Sequence, residues 1–314
     1  MSKNHTDVLW RGFPKTLSEF EERFATEKSC RKYLAQCRWN GEMFCDKCGH
    51  DQLWPVHDGA HFECARCTHQ MSLTSGTLFH GTRKPLKLWF RAIWEICVHK
   101  HGISAADLQR ILGFGSYETA WAWLHKIRRA MVRPKREKLN GCAQTDETFI
   151  GGKGAVQEIV VIAAEEFGRV RLVHAPGNHA ECLAHIADSE IGAETTVKTD
   201  GHAGYSKKSL GKREHCATVQ TKAERKIGDH LQLCHWTAAN LKRWLLGTHH
   251  GAVSAKHLQA YLDEYAFRYN RRKTKGVGRL VARCLENMLT QSPLTMRQLI
   301  DDTHECRNFE GAVY

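Results

Sequence analysis

The chain has 314 residues, enough for two or three domains and a sizeable core. Its 46 Lys and Arg against 34 Asp and Glu leave a formal charge of +12, which points to a polyanionic partner, while no uncharged run is long enough to span a bilayer. Nucleic acid is therefore expected before membrane, a polar and then amphipathic N-terminus without a signal-peptide block points to the cytoplasm, and the 13 cysteines read as thiols or metal ligands rather than disulfides.

Residues 1–38 read as an N-terminal helical segment, because Leu17, Phe20 and Phe24, then Cys30, Tyr33 and Leu34, recur at helical spacing. Residues 39–80 change to short strand-like pieces with paired cysteines. Cys45 and Cys48 form one CxxC, Cys64 and Cys67 another, with 15 residues between the pairs. Two such knuckles can set four thiolates tetrahedrally around one structural Zn²⁺, and a ribbon this small needs the ion to fold. A redox CxxC needs one pair in a βαβ setting, which is absent. His50, His57, His61 and His69 are surplus to a completed sulfur set.

Residues 84–138 read as a helix-turn-helix DNA-binding region. Pro85 opens a helix, and Ser104, with Asp107 three residues on, caps the next. Gly113 to Ser116 turn the chain, and Tyr117 to Met131 form another helix with Ala120, Leu124, Ile127 and Met131 on one side. Residues 121–140 hold seven Lys or Arg and one Glu, which makes Lys126, Arg128 and Arg129 candidate DNA contacts. The alternative is a helical bundle with a solvated basic face. Trp121 and Trp123 read as packing residues.

From residue 142 the texture is α/β. CAQTDETFIGG, EIVVIAAEE and VRLVHAP read as three successive strands, CLAHIADSEI as a helix, TTVKTDG and HCATVQT as two more strands, and the remainder from about Leu231 onward as helical. Asp146 interrupts the first of these strands, and a carboxylate there costs desolvation unless it has a partner. Asp200 repeats the pattern on a later strand, followed by a glycine. Two aspartates ending two strands of a β-β-β-α-β layout form the minimal site for a pair of divalent ions, Mg²⁺ or Mn²⁺, in an RNase H-like fold. Glu147 offers the same chemistry, but alternation points it to the opposite face.

The third ligand in that fold comes from a helix after the fifth strand. His235 lies 35 residues beyond Asp200, and Lys242 follows seven later, close to two helical turns, so the two share a face. A neutral imidazole ligates divalent metals and suits Mn²⁺ better than Mg²⁺. Lys242 would meet phosphate as a point charge. Asn240 is the rival third ligand, and a capping or packing role is the alternative for His235.

In combination, DETFIGGK, TDGHAGY, the stretch CHWTAANLKRWLLGTHHGAVSAKHLQAYLDEYAFRYNRR and the ribbon ending HQMSLTSGTLF resemble the ISXO-type insertion-sequence transposases of bacteria, over about residues 15–275. The resemblance implies a zinc ribbon ahead of an RNase H-like, integrase-type DDE catalytic domain. By position it also implies Asp146, Asp200 and His235 as the metal-binding triad, with Lys242 as its basic companion. Where that family tends to carry Pro-Trp-Val before the histidine, this chain has Gln232, Leu233 and Cys234. The expected organisation is a catalytic domain over 142–278 and a C-terminal helical tail over 279–314. The expected activity is metal-dependent cleavage at element ends and strand transfer. The expected partner is double-stranded DNA, at the terminal inverted repeats and the target, bound by a homo-oligomer in the nucleoid. Six Lys or Arg from Phe267 through Arg279, Arg271 and Arg272 among them, are candidate phosphate contacts. A zinc-ribbon regulator with an inactive nuclease-like domain, and a nuclease that cuts without joining, are the rival readings.

Overall fold

The computed structural model describes residues 12–40, 42–133, 136–151, 157–166, 168–251 and 253–301. The start of the N-terminal segment, Pro134 and Lys135 of the basic linker, Gly152 and Lys153 of DETFIGGK, and the end of the C-terminal tail lie outside these residues. The described chain divides into two units, one containing residues up to 133 with 273–299, the other residues 136–272 with 300 and 301.

The first unit begins with two capped helices. In α1 (Leu17–Arg23) Thr16 and Glu19 form a capping box, and α2 (Glu27–Trp39) is capped by Thr26. Phe13, Phe20, Phe24 and Tyr33 gather under them with Phe90 and Trp94 of α3 (Leu86–Val98), Phe20 and Trp94 lying 4.6 Å apart. Between α2 and α3 lies the ribbon, an antiparallel sheet of β1 (Leu53–Val56), β2 (His61–Cys64) and β3 (Gln70–Ser72). Arg38 of α2 ties it down, donating to the Ser72 carbonyl at 3.1 Å and the Ser75 carbonyl at 2.8 Å.

Next come α4 (Ala105–Leu112) and α5 (Tyr117–Ala130), joined by a tight turn. Ser104 caps α4 and bonds the Asp107 carboxylate at 2.7 Å, while Gly113 ends the helix in the left-handed region that favours glycine. Trp123 stacks on Trp89 at 3.6 Å and is buried, a packing role as the sequence suggests. The helix Gly278–Thr290 packs on α2, α3 and α5. Its Asn287 donates to the Ala130 carbonyl at 2.7 Å, and Gln291 to the carbonyls of Arg129 and Val132 at 2.9 Å each. These contacts tie the helix to the last turn of α5 and the residues just after it. Residues read from the sequence as the start of a C-terminal tail are therefore part of the first unit's core.

The second unit contains all five expected strands. β4 (Cys142–Ile150), β5 (Glu158–Glu165) and β6 (Val170–Ala175) form an antiparallel meander. The chain then passes through α6 (Ala180–Glu190) to β7 (Thr196–Thr199), and through the short α7 (Lys207–Leu210) to β8 (His215–Ala217). β7 runs parallel to β4 and β8 parallel to β7, giving the mixed order β6-β5-β4-β7-β8. Three more helices follow: α8 (Lys222–Ile227), α9 (Gln232–His249) and α10 (Leu258–Asn270).

β5 is apolar on both faces because both are covered. Val161 and Ala163 pack with Leu183 and Ile186 of α6, whereas Val160, Ile162 and Ala164 pack with Cys234, Leu241 and Leu245 of α9 and Leu262 of α10. Fully burying one such side chain contributes about 1.5–3 kcal/mol, so helices on both faces hold the sheet. Among the described residues, no helix is long and apolar enough to cross a membrane.

Candidate active site

Strand pairing places Asp146 opposite Ile162 and Glu147 opposite Val161. Directly paired residues share a face, so Asp146 lies on the α9 side and Glu147 on the α6 side, as alternation requires. Gln144, two residues before Asp146, faces α9 as well, and its side-chain oxygen accepts from the Leu233 N–H at 2.8 Å. That bond satisfies one of the free donors in the first turn of α9. It fixes where the helix starts, and His235 falls one turn further along.

His235 Nε2 lies 3.3 Å from Asp146 Oδ2, with both side chains partly shielded, at 31% and 17% exposure. On its other side, Nδ1 lies 2.6 Å from Asp229 Oδ2. An ionised carboxylate only accepts, so Nδ1 carries the proton and donates it to Asp229. A neutral ring would then turn its Nε2 lone pair toward Asp146. Lone pair and carboxylate repel unless a proton sits on Nε2 or a cation is shared between them. Carboxylate oxygen and imidazole nitrogen form a donor set that fits a divalent ion. Asp229 was not singled out in the sequence, since nothing in the local pattern shows the chain doubling back to bring it against the ring.

Asp200 follows directly on β7. Its Oδ1 accepts from the His202 N–H at 2.9 Å, and Gly201 turns the chain at φ +82, in the region glycine favours. Gly204 admits a close approach, since a Cβ there would sit 2.5 Å from the Asn178 carbonyl and 2.7 Å from Leu183. TDGHAGY is thus a turn packed against the start of α6. Burial pushes the Asp146 carboxyl above its ordinary range; Asp200 adds to the rise, whereas His235, the Glu147 N–H and Arg225 oppose it. Burial likewise raises Glu147, against the Tyr205 hydroxyl. The structure therefore brings Asp146 and His235 into contact and Asp200 within electrostatic reach. The ligand atoms of all three do not lie within 4.8 Å of one another, a spacing reached among the described residues by Cys45, Cys48, Cys64 and Cys67.

Lys242 is exposed on α9 two turns beyond His235. Asn240 is exposed, and its oxygen accepts from Arg243 at 3.2 Å. Lys222, Arg225 and Lys226 are exposed on α8, just before Asp229, and sequence reasoning did not single them out.

The candidate DNA contacts on α5 need one correction. Arg128 is only 2% exposed, with Nη1 3.5 Å from His125 Nε2, so it offers no surface to a phosphate. A basic residue on an amphipathic helix reads as solvated, and only the packing reveals otherwise. Lys126 and Arg129 are half-buried, and burial lowers the Lys126 ammonium below its ordinary value. Arg271 and Arg272 fold back on α10, their guanidinium groups 4.0 Å from the rings of Phe267 and Tyr269.

In the ribbon, Cys45 and Cys67 Sγ lie 3.6 Å apart, as do Cys48 and Cys64 Sγ. A tetrahedron with Zn–S bonds of about 2.3 Å has edges of roughly 3.8 Å, so the four thiols fit a structural Zn²⁺. Burial works against charge on Cys64, but N–H groups of the knuckle, Arg66 at 3.4 Å among them, hold its thiol down at about 6.

Residues 25–70 match the transposase zinc-ribbon domain family, and residues 138–270 match the ISXO2-like transposase domain family, together more than half of the chain. The chain carries an ISXO2-like transposase domain over residues 138–270. A similar protein, 23% identical over 78% of this chain and 91% of its own length, is an uncharacterized protein in transposable element ISH50 of Halobacterium salinarum. No solved structure matches this transposase. The two domains make it a DNA transposase, with DNA binding implied by both, and the resemblance read from the sequence holds.

Proposed function

We propose that this transposase cuts one DNA strand at each end of its element and joins the freed 3′-hydroxyl to target DNA. Both reactions would use one site, built from Asp146, Asp200 and His235 in an RNase H-like, DDE-type fold. The observation that carries this reading is the 3.3 Å approach of a shielded carboxylate, Asp146, to His235, with Asp200 near enough to raise its carboxyl. The strand order β6-β5-β4-β7-β8, with three antiparallel strands followed by two parallel ones, supports the fold.

A divalent ion, Mg²⁺ or Mn²⁺, held by Asp146, Asp200 and His235 would activate the attacking oxygen and offset charge on the leaving one. Lys242 holds a phosphate oxygen as a point charge. Lys222, Arg225 and Lys226 steer the strand toward the carboxylates, and Arg271 and Arg272 contact phosphates further along. The ribbon and the helix-turn-helix around α4 and α5 grip the terminal inverted repeats. An element has two ends, so a homo-oligomer on the DNA brings them together, which places the protein in the cytoplasm at the nucleoid.

The test is cleavage and joining of DNA taken from the flanks of the protein's own gene. Asp146→Asn and Asp200→Asn abolish both reactions and leave DNA binding unchanged, because the carboxylates hold metal and not DNA. Undiminished cleavage by either variant refutes the site. Wild-type cleavage without joining makes the protein a nuclease, and binding without cleavage makes it a regulator.

A further inference from the structure

We infer that Asp229 is a positioning residue: it fixes the tautomer of His235 so that the Nε2 lone pair faces Asp146 and is available to a divalent cation. This rests on reading Asp146, Asp200 and His235 as a metal site. Asp229 sits in the turn between α8 and α9 with a side chain 18% exposed, and it makes two bonds in different directions. Oδ1 accepts from the Leu231 N–H at 3.0 Å, which fixes the carboxylate at the entry to α9. Oδ2 takes the His235 Nδ1–H at 2.6 Å.

The geometry has a direct chemical consequence. A free imidazole can carry its proton on either nitrogen, and a proton on Nε2 blocks ligation there. A carboxylate against Nδ1 selects the other form, orients the ring and raises the basicity of Nε2. Gln144 holds the helix start and Asp229 holds the ring, so His235 is fixed at both backbone and side chain. The same arrangement explains why a histidine can stand among carboxylate ligands, because the group behind it selects the tautomer whose lone pair lies on the metal-facing nitrogen.

Asp229→Asn separates positioning from structure. The asparagine carbonyl stays with the Leu231 N–H, since its NH₂ cannot face another donor, and the NH₂ then meets Nδ1. The proton moves to Nε2. In the full-length, zinc-loaded protein, long-range ¹H–¹⁵N spectra report the tautomer, with the His235 signals assigned by their loss in His235→Gln. Mn²⁺ titration by calorimetry reports the affinity. Wild type should show the Nδ1–H form. Asp229→Asn should show Nε2–H and lose about 10–100-fold in Mn²⁺ affinity, with melting temperature and DNA binding unchanged. An Nε2–H form in the wild type overturns the inference whatever the variants do. So does an Asp229→Asn protein with wild-type tautomer and affinity while Asp146→Asn loses Mn²⁺. If Asp146→Asn binds Mn²⁺ as well as the wild type, the metal-site reading falls and the inference falls with it.

Discussion

At the scale of single residues, Asp146 and Glu147 are adjacent carboxylates on one strand with different neighbours. Asp146 faces His235, and Glu147 faces Tyr205 on the other side of the sheet. The two-residue period of a strand makes this legible in the sequence. On the same reading of the site, His235→Ala nearly abolishes cleavage. His235→Glu keeps part of it and moves the metal preference from Mn²⁺ toward Mg²⁺, since a carboxylate is the harder ligand. Cleavage rates with each metal check this, and a His235→Ala protein that transposes normally contradicts it. Asp229 was not legible, because its approach to the ring depends on Gln144 setting the start of α9, a bond across 89 positions of sequence. Arg128 misled for the opposite reason, as charge suggests exposure where packing denies it.

At the scale of elements, the ribbon's four cysteines were legible by spacing alone, because tetrahedral ligation needs two close pairs and a short return. Small ribbons draw their folding free energy from the metal, so chelating zinc, or Cys45→Ser, should unfold the ribbon and weaken end binding while the second unit's sheet persists. Elemental analysis and hydrogen exchange check this, and unchanged protection over β1–β3 without zinc contradicts it. In the β5–β6 hairpin, burial works against the Glu165 charge, but bonds from Arg169 and the Asn140 N–H hold its carboxyl below the usual range. A carboxyl held low when folded stabilises the protein above its unfolded value of about 4.3, and that contribution disappears as pH falls through the folded value. Glu165→Gln should cost about 1–3 kcal/mol near neutral pH and flatten this part of the pH dependence, read from melting temperatures between pH 3 and 7. Equal slopes for the two proteins rule the ion pair out as the cause.

At the scale of the whole molecule, the +12 charge predicts binding dominated by phosphate neutralisation and steeply weakened by salt. Replacing Lys222, Arg225 and Lys226 with alanine should lower the slope of log affinity against log salt by about 0.9 for each phosphate no longer neutralised. An unchanged slope removes α8 from the DNA path. Whereas α7 and α8, at four and six residues, are too short to show a period, the five strands, α6 and the helical stretch beginning with α9 were legible because hydrophobic period changes at their boundaries. The placement of the helix Gly278–Thr290 was not: its apolar face shows that it packs, but only the bonds from Asn287 and Gln291 show where. Everything proposed for the chemistry depends on Asp146, Asp200 and His235 holding the reaction's metal. Anomalous scattering from Mn²⁺-soaked crystals of the full-length protein tests it most directly. A manganese peak bonded to both aspartates and to His235 Nε2 is the expected result, and a fully bound Mn²⁺ elsewhere with these three side chains bare refutes the site.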